Sequence, residues 1–183
     1  MFSLEYSLGL INPDYPHVLE FGVCTGTTLR TIRDNLGSRF KVYGFDSFEG
    51  LPEDWPGTVC RKGEFAAEQP DIAGVEFFQG WFKDTIHDYV KQAEPIALLH
   101  LDCDLYSSTK DVLWPLNPFI LPGTIIVCDE WIYKLTSGGY GDDQEQKAVS
   151  EWASTFGRHL EHIPFSDLEP LHGNERRIFR VAI

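Results

Sequence analysis

The stretch LEFGVCTGTTL, residues 19–29, joins a short apolar run to a helix-like segment through two glycines, Gly22 and Gly26. The apolar run predicts a strand at Val18–Phe21, and the residues after Gly26 predict a helix at Thr27–Leu36. Glycine lets the backbone turn sharply and approach a ligand closely. The N–H groups at the start of the helix, near Thr27, can bind an anionic or polar group. This stretch therefore predicts a strand–turn–helix unit that holds a nucleotide-like ligand.

Strand-like and helix-like segments alternate along the rest of the chain. The runs IALLHL and TIIVC are apolar almost throughout, as in parallel strands covered on both faces. Such alternation predicts βαβ units and a three-layer αβα Rossmann-like fold, here with a seven-stranded, mostly parallel sheet. The last two strands lack a helix-patterned connection, which predicts a C-terminal antiparallel hairpin. The further predicted strands are Lys41–Phe45, Val75–Phe78, Ile96–Leu101, Thr124–Cys128, Leu160–Pro164 and Arg177–Val181, and the further helices are Trp81–Gln92, Ser108–Leu116 and Gln144–Phe156.

The composition indicates one folded, acidic domain over residues 1–183. Hydrophobic residues make up 43% of the chain, enough for a substantial core at this length. Lys and Arg total 15 against 28 Asp and Glu, and the formal charge of −13 disfavours nucleic acid and anionic membranes as partners. No run approaches the roughly 20 apolar residues of a membrane span. We find no secretory signal pattern and no metal-type cysteine spacing, so we expect a cytoplasmic protein with reduced thiols.

An acidic residue, Asp46, ends the second predicted strand within GFDSFEGLP. A carboxylate at this place can accept hydrogen bonds from both hydroxyls of a ribose. The dinucleotide fingerprint G-x-G-x-x-G fails, because Cys24 and Thr27 stand where glycines are needed. The pattern therefore favours a nucleoside-containing cofactor other than NAD.

The third predicted strand ends in Gln79, Gly80 and Trp81. A polar side chain, a glycine and an aromatic ring suit an adenine slot, since a base offers hydrogen-bonding edges and flat apolar faces. The alternative is that Trp81 and Phe82 only begin an amphipathic helix and pack inward.

Four carboxylates, Asp102, Asp104, Asp129 and Glu130, follow the fourth and fifth predicted strands. Neighbouring carboxylates repel one another, which raises some of their pKa values or requires a cation. Oxygen ligands in this number suit Mg²⁺, which can lower the pKa of a bound hydroxyl. The alternative is that some of them cap the following helices, as Asp104 could before SST.

Two segments, Glu49–Gly74 and Ile132–Asp143, lack clear periodicity and follow the carboxyl ends of predicted strands. The ligand crevice of an open α/β sheet lies on that side. These segments are therefore candidate lids, with ordinary surface loops as the alternative.

The motifs LEFGVCTGTTL, GFDSFEGLP, QGWFKDT, LDCDLYSST and CDEW, in this order and spacing, resemble the macrocin O-methyltransferase family of class I methyltransferases. The resemblance runs from about Val18 to Phe156. It implies that S-adenosylmethionine donates a methyl group and that Mg²⁺ assists methylation of a hydroxyl on a small molecule, often a natural-product sugar.

The resemblance also implies roles for individual residues. It places Glu20, Gly22 and Gly26 at the methionine portion of the cofactor, Asp46 and Ser47 at the ribose, and Gly80, Trp81 and Gln79 at the adenine. We also expect Thr27 and Asp102 to lie beside the cofactor. The metal ligands fall on Asp102, Asp129 and Glu130, the last departing from the commoner Asp or Asn. We expect Asp102 to accept a proton as well as to bind metal.

Only seventeen residues precede the first predicted strand, whereas members of this family carry N-terminal helices that cover the substrate site. We therefore expect a domain without an extended N-terminal cap, in which internal loops or a partner subunit, as in a homodimer, enclose the hydroxyl acceptor. Two other functions stay open: a metal-independent methyltransferase, and a non-catalytic S-adenosylmethionine-binding module.

Overall fold

The computed structural model describes residues 3–165 and 175–182. Its helices are α1 (Ser3–Leu8), α2 (Thr27–Asp34), α3 (Phe82–Val90), α4 (Tyr106–Leu116) and α5 (Glu145–Phe156), with a short 3₁₀ turn at Asn117–Phe119. Its strands are β1 (His17–Phe21), β2 (Lys41–Asp46), β3 (Val75–Gln79), β4 (Ile96–Leu101), β5 (Ile125–Lys134), β6 (Tyr140–Gly141), β7 (His159–Ile163) and β8 (Glu175–Ala182). Within these residues, no helix has the length and apolar character needed to cross a bilayer.

The strands form one sheet in the order β3-β2-β1-β4-β5-β8-β7, with β6 paired to β5 outside this row. The first five strands of the row run parallel, and β8 is antiparallel to both β5 and β7. This confirms the predicted α/β fold with its C-terminal antiparallel hairpin. The chain order reverses between β1 and β4, and a ligand crevice opens at such a point beyond the carboxyl ends of the strands.

Two hydrophobic cores cover the two faces of the sheet. Strand residues such as Leu99 and Phe21 pack with α3, α4 and α5 on one face. Val18 and Leu98 pack with α1 and α2 on the other. Because side chains alternate along a strand, neighbouring residues serve opposite cores. The result is the three-layer arrangement predicted from the alternation of elements.

Three elements, α1, β5 and β6, differ from the sequence-based expectations. Helix α1 was not predicted; Leu4 and Leu8 bury its apolar side on the α2 face. The segment Ile132–Asp143, which shows no clear periodicity in the sequence, contains a β-hairpin. Strand β5 extends to Lys134 and pairs with β6. The glycines and aspartates of SGGYGDD obscure this hairpin in the sequence.

Gly22 allows β1 and β4 to approach each other at the crevice. It has φ of +92°, and a Cβ atom placed on it would lie 1.8 Å from the carbonyl oxygen of Asp102. The Asp102 N–H donates to the carbonyl of Phe21 at 2.9 Å. The absence of a side chain at Gly22 is therefore needed for the close packing of β1 against the end of β4.

We expect Gly22→Ala to lower the free energy of unfolding by at least about 3 kcal/mol, because the new methyl group adds a backbone clash to a strained φ. Gly37→Ala is the matched control, since no neighbouring atom lies within 4 Å of its added Cβ. Urea unfolding of both variants measures the difference. Equal stability of the two variants would contradict the packing constraint.

Candidate functional site

A cavity of about 1120 Å³ opens at the carboxyl ends of β1, β2, β4 and β5. Six of the residues predicted for the site line it: Gly22, Asp46, Ser47, Trp81, Asp102 and Glu130. Six others do not: Glu20, Gly26, Thr27, Gln79, Gly80 and Asp129. Half of the predicted cofactor and metal residues therefore line one cavity, and the other half lie outside its lining.

Asp46 holds the turn after β1 to the end of β2. Its Oδ2 accepts the N–H groups of Val23 at 2.8 Å and Cys24 at 2.7 Å. Its Oδ1 accepts the N–H of Phe48 at 2.7 Å. A carboxylate offers about four acceptor positions, so three of them already bind backbone. Asp46 thus shapes the rim of the cavity itself, whatever ligand enters.

The predicted adenine residues separate into those that line the cavity and those that support it. Trp81 lines it and precedes the first residue of α3. Gly80 donates its N–H to the carbonyl of Asp46 at 2.9 Å, which ties the end of β3 to the end of β2. Gln79 is exposed on β3, away from the lining residues.

Gly26 and Thr27, the other predicted residues of the first turn, also lie outside the cavity. Gly26 has φ of +78°, and an added Cβ would meet the ring of Pro70 at 2.7 Å and Ile72 at 3.0 Å. The segment after β2 therefore packs directly on this turn. Thr27 is exposed at the start of α2, with its hydroxyl 3.3 Å from that of Thr25.

Three carboxylates gather on the opposite side of the cavity. Oxygens of Asp102, Asp104 and Glu130 lie within 4.8 Å of one another. Burial, followed by the charge of Asp129, raises the pKa values of all three, to about 7 for Asp104 and well above the usual range for Asp102 and Glu130. Such uncompensated negative charge is what a divalent cation would relieve.

Asp129, by contrast, is bound by a cation from the protein. Arg176 on β8 contacts both of its carboxylate oxygens, at 2.5 and 2.8 Å. Between the pairs Cys128–Arg177 and Ile132–Glu175, three residues of β5 face the single residue Arg176. This bulge brings Asp129 towards the guanidinium, and Asp129 is not among the cavity-lining residues.

A buried histidine connects Asp129 to Glu20. His100 Nε2 lies 3.4 Å from Asp129 Oδ1, and Nδ1 lies 3.2 Å from Glu20 Oε2. The other oxygen of Glu20 accepts the hydroxyl of Thr28 at 2.8 Å. Burial lowers the pKa of His100, but hydrogen bonds to Asp129 and Glu20 outweigh it and raise the pKa to about 10. The two side chains that contact this imidazole therefore favour its charged form.

Both segments proposed as lids contribute to the covering of the cavity. Trp55, in the segment after β2, packs on Tyr133 of the β5–β6 hairpin with ring centroids 5.2 Å apart. Thr136 N–H donates to the carbonyl of Gly57 at 2.8 Å. Leu51 and Leu105 complete this small apolar cluster. The two segments therefore contact each other, and both line the cavity together with the carboxylates and Asp46.

The sequence of residues 70–140 matches the family model described as Macrocin-O-methyltransferase (TylF). Over these residues the chain resembles this family. It is 34% identical over 137 residues to 8-demethyl-8-(2,3-dimethoxy-alpha-L-rhamnosyl)-tetracenomycin-C 4'-O-methyltransferase of Streptomyces olivaceus, covering 64% of this chain and 48% of that protein. It is 39% identical over 77 residues to mycinamicin III 3''-O-methyltransferase of Micromonospora griseorubida, covering 42% and 30% of the two chains. The matched part of the chain thus spans about half the length, or less, of these relatives.

Solved structures show the same fold. The calicheamicin methyltransferase CalS11 superposes with a TM-score of 0.73 at 21% identity, over 96% of this chain and 75% of that one. The O-methyltransferase NovP gives 0.68 at 20% identity, over 98% and 78%. The chain therefore shares the fold of these class I methyltransferases.

Two residues that support the site were not found from the sequence. Arg176 stands in the basic pair Arg176–Arg177, and nothing local signals that it meets Asp129. Glu145, the first residue of α5, is fully buried and accepts the N–H groups of Cys103 and Glu130. Burial raises the pKa of Glu145 to about 8, although these N–H groups lower it. The available signal for Glu145 was its place near the predicted start of a helix, just after the two aspartates of GDDQ, since acidic residues favour helix N-termini.

We expect His100→Leu to lower the free energy of unfolding by about 3–5 kcal/mol, because Glu20 and Asp129 lose the cation between them. His87→Leu, on the exposed side of α3, serves as the control. Urea titration followed by circular dichroism measures both. A His100→Leu protein as stable as the control would contradict a charged histidine at this position.

Proposed function

We propose that the chain binds S-adenosylmethionine and transfers its methyl group to a hydroxyl of a small molecule. The observation that carries this proposal is the single cavity that joins Asp46 and Trp81 on one side to Asp102 and Glu130 on the other. A nucleoside and a polar acceptor could then lie next to each other. Holding two reactants in contact is itself a large part of catalysis.

The acceptor we propose is a sugar hydroxyl of a glycosylated natural product. The two relatives described above are named for methylating a rhamnosyl-tetracenomycin and mycinamicin III, and a third, from Streptomyces niveus, is a demethyldecarbamoylnovobiocin O-methyltransferase. A cavity of about 1120 Å³ exceeds the roughly 300–1,000 Å³ usual for one small ligand, so it has room for a donor and an acceptor.

We further propose that a divalent cation, most simply Mg²⁺, binds among the carboxylates. The ligands would be Asp102, Asp104 and Glu130, whose oxygens are close together and whose pKa values are raised. Asp129 was the expected third ligand, but Arg176 already contacts both of its oxygens. When bound, such an ion lowers the pKa of a neighbouring hydroxyl and orients it.

Residues of the chain would accept the proton of the acceptor hydroxyl and exclude water from it. S-adenosylmethionine supplies a methyl group on a positively charged sulfur, and the acceptor hydroxyl loses a proton as its oxygen gains that group. Asp102 would accept this proton on its carboxylate, since it lines the cavity beside the proposed acceptor position. The lid segments around Trp55 and Tyr133 would exclude water from the acceptor.

We expect S-adenosylmethionine and S-adenosylhomocysteine to raise the melting temperature, because a ligand of the folded state stabilises it, and NAD to leave it unchanged. With mycinamicin III and related glycosides as acceptors, mass spectrometry should show a gain of one methyl group. Asp102→Asn should lower kcat by about 10²-fold or more, as for a lost general base, whereas Asp88→Asn, an exposed change on α3, should not. Binding without turnover on any acceptor would indicate a binding module, and stabilisation by NAD alone would overturn the proposal.

The metal proposal has a separate test that needs no acceptor. We expect Mn²⁺ to bind the wild-type protein in calorimetry and Asp104→Asn to weaken this binding by at least about tenfold, since a charged oxygen ligand is lost. Glu53→Gln, a change of a carboxylate at the cavity rim, is the control. Full methyl transfer in excess EDTA, together with no Mn²⁺ binding, would establish the metal-independent mechanism instead.

A further inference from the structure

The parallel pairing of β4 and β5 stops just before the residues that carry the chemistry. The last paired residues are Leu101 and Cys128. Beyond them the chain after β4 stays bonded to β1, since Asp102 N–H donates to the carbonyl of Phe21, whereas β5 enters its bulge opposite β8. The two strands thus diverge at the point where the predicted proton acceptor and metal ligands begin.

The carboxylate of Glu145 fills the gap between the diverging strands. Its Oε1 accepts the N–H of Cys103 at 3.0 Å, and its Oε2 accepts the N–H of Glu130 at 3.1 Å. Continuing the register of the β4–β5 pair places Cys103 opposite Glu130. One side chain from α5 therefore replaces the ladder hydrogen bonds that the strands no longer make.

The neighbouring residue strengthens this bridge. The side-chain oxygen of Gln144 accepts the N–H of Tyr106, the first residue of α4, at 2.8 Å. The beginning of α5 thereby holds three backbone amides around the carboxylate cluster. Such amides would cost about 1–3 kcal/mol each if they were buried without an acceptor.

We propose that Glu145 is a positioning residue for methyl transfer, which fixes the distance between Asp102 and Glu130 by bridging the backbone beside each of them. This inference rests on the proposed function. Glu145 is fully buried and absent from the cavity lining, so it acts through these backbone segments without touching a ligand. A misplacement of reacting groups by about 1 Å can cost 10²-fold in rate.

The cofactor side of the cavity is held independently of Glu145. Asp46 fixes the turn after β1 through Val23 and Cys24, and Gly80 joins β3 to β2. Loss of the Glu145 carboxylate should therefore disturb the acceptor side and leave nucleoside binding intact. A residue needed only for folding would instead reduce the number of binding-competent molecules.

The experiment compares Glu145→Met, which removes both acceptors at similar volume, with Glu145→Gln, which retains one acceptor oxygen. The matched control is Glu151→Gln on the same helix, whose carboxylate binds only the hydroxyl of Tyr106 among the described contacts. Calorimetric titration with S-adenosylhomocysteine counts functional sites and gives the affinity. Methyl transfer is then expressed as kcat per functional site.

We expect Glu145→Met to lower kcat per functional site by about 10²-fold with unchanged S-adenosylhomocysteine affinity, and Glu145→Gln to restore part of the rate. Glu151→Gln should match the wild-type protein. A wild-type kcat per site in Glu145→Met would overturn the proposal.

Amide hydrogen exchange provides a second measurement that needs neither turnover nor a foldable variant. In the wild-type protein, the N–H groups of Cys103 and Glu130 should be protected, because both are buried and hydrogen-bonded. Exchange as fast as in an open loop would overturn the bridge. Protected amides in a protein that binds S-adenosylhomocysteine but methylates no acceptor would refute the proposed function while leaving the bridge between the strands in place.

Discussion

A row of hydrogen-bonded charged side chains, buried except for the partly exposed Arg176, crosses the centre of the sheet through Glu20, His100, Asp129 and Arg176. It links β1, β4, β5 and β8. Each buried charge is stable only because its neighbour carries the opposite sign, and removing one member leaves the next uncompensated. The strand ends that form the cavity are therefore fixed relative to one another by electrostatics as well as by the backbone ladder.

Two places in the sheet, one on each side of β4, shape the site. Between β1 and β4 the strands approach so closely that only glycine fits at position 22. Between β4 and β5 they separate, and the Glu145 carboxylate bridges them. Asp102 lies between these two places. Its backbone is consequently held by hydrogen bonds, from its own N–H to Phe21 and from the next N–H to Glu145, which suits a group that must meet a reacting oxygen at a defined distance.

Much of the site follows from where strands end. Asp46, Trp81, Asp102 and Glu130 each follow or end a strand in the sequence, and parallel strands deliver such residues to one edge, so their shared cavity was predictable. Asp129 was placed with them because it directly follows the fifth predicted strand and matches a metal ligand of the family that the sequence resembles. The sequence does not reveal a bulge, however, and the β5 bulge opposite Arg176 separates these neighbours.

Apart from α1 and β6, the order of strands and helices was determined by the sequence alone. Apolar runs, glycine turns and helical periodicity are local properties, which can be recognised without knowing what each segment packs against. The same holds for the acidic residues at the strand ends. Only the tertiary structure decided which cation meets which carboxylate. Arg176 is 47 residues from Asp129, and Glu145 is 42 from Cys103. Such pairings depend on how the chain returns to the sheet, and no local pattern encodes that return.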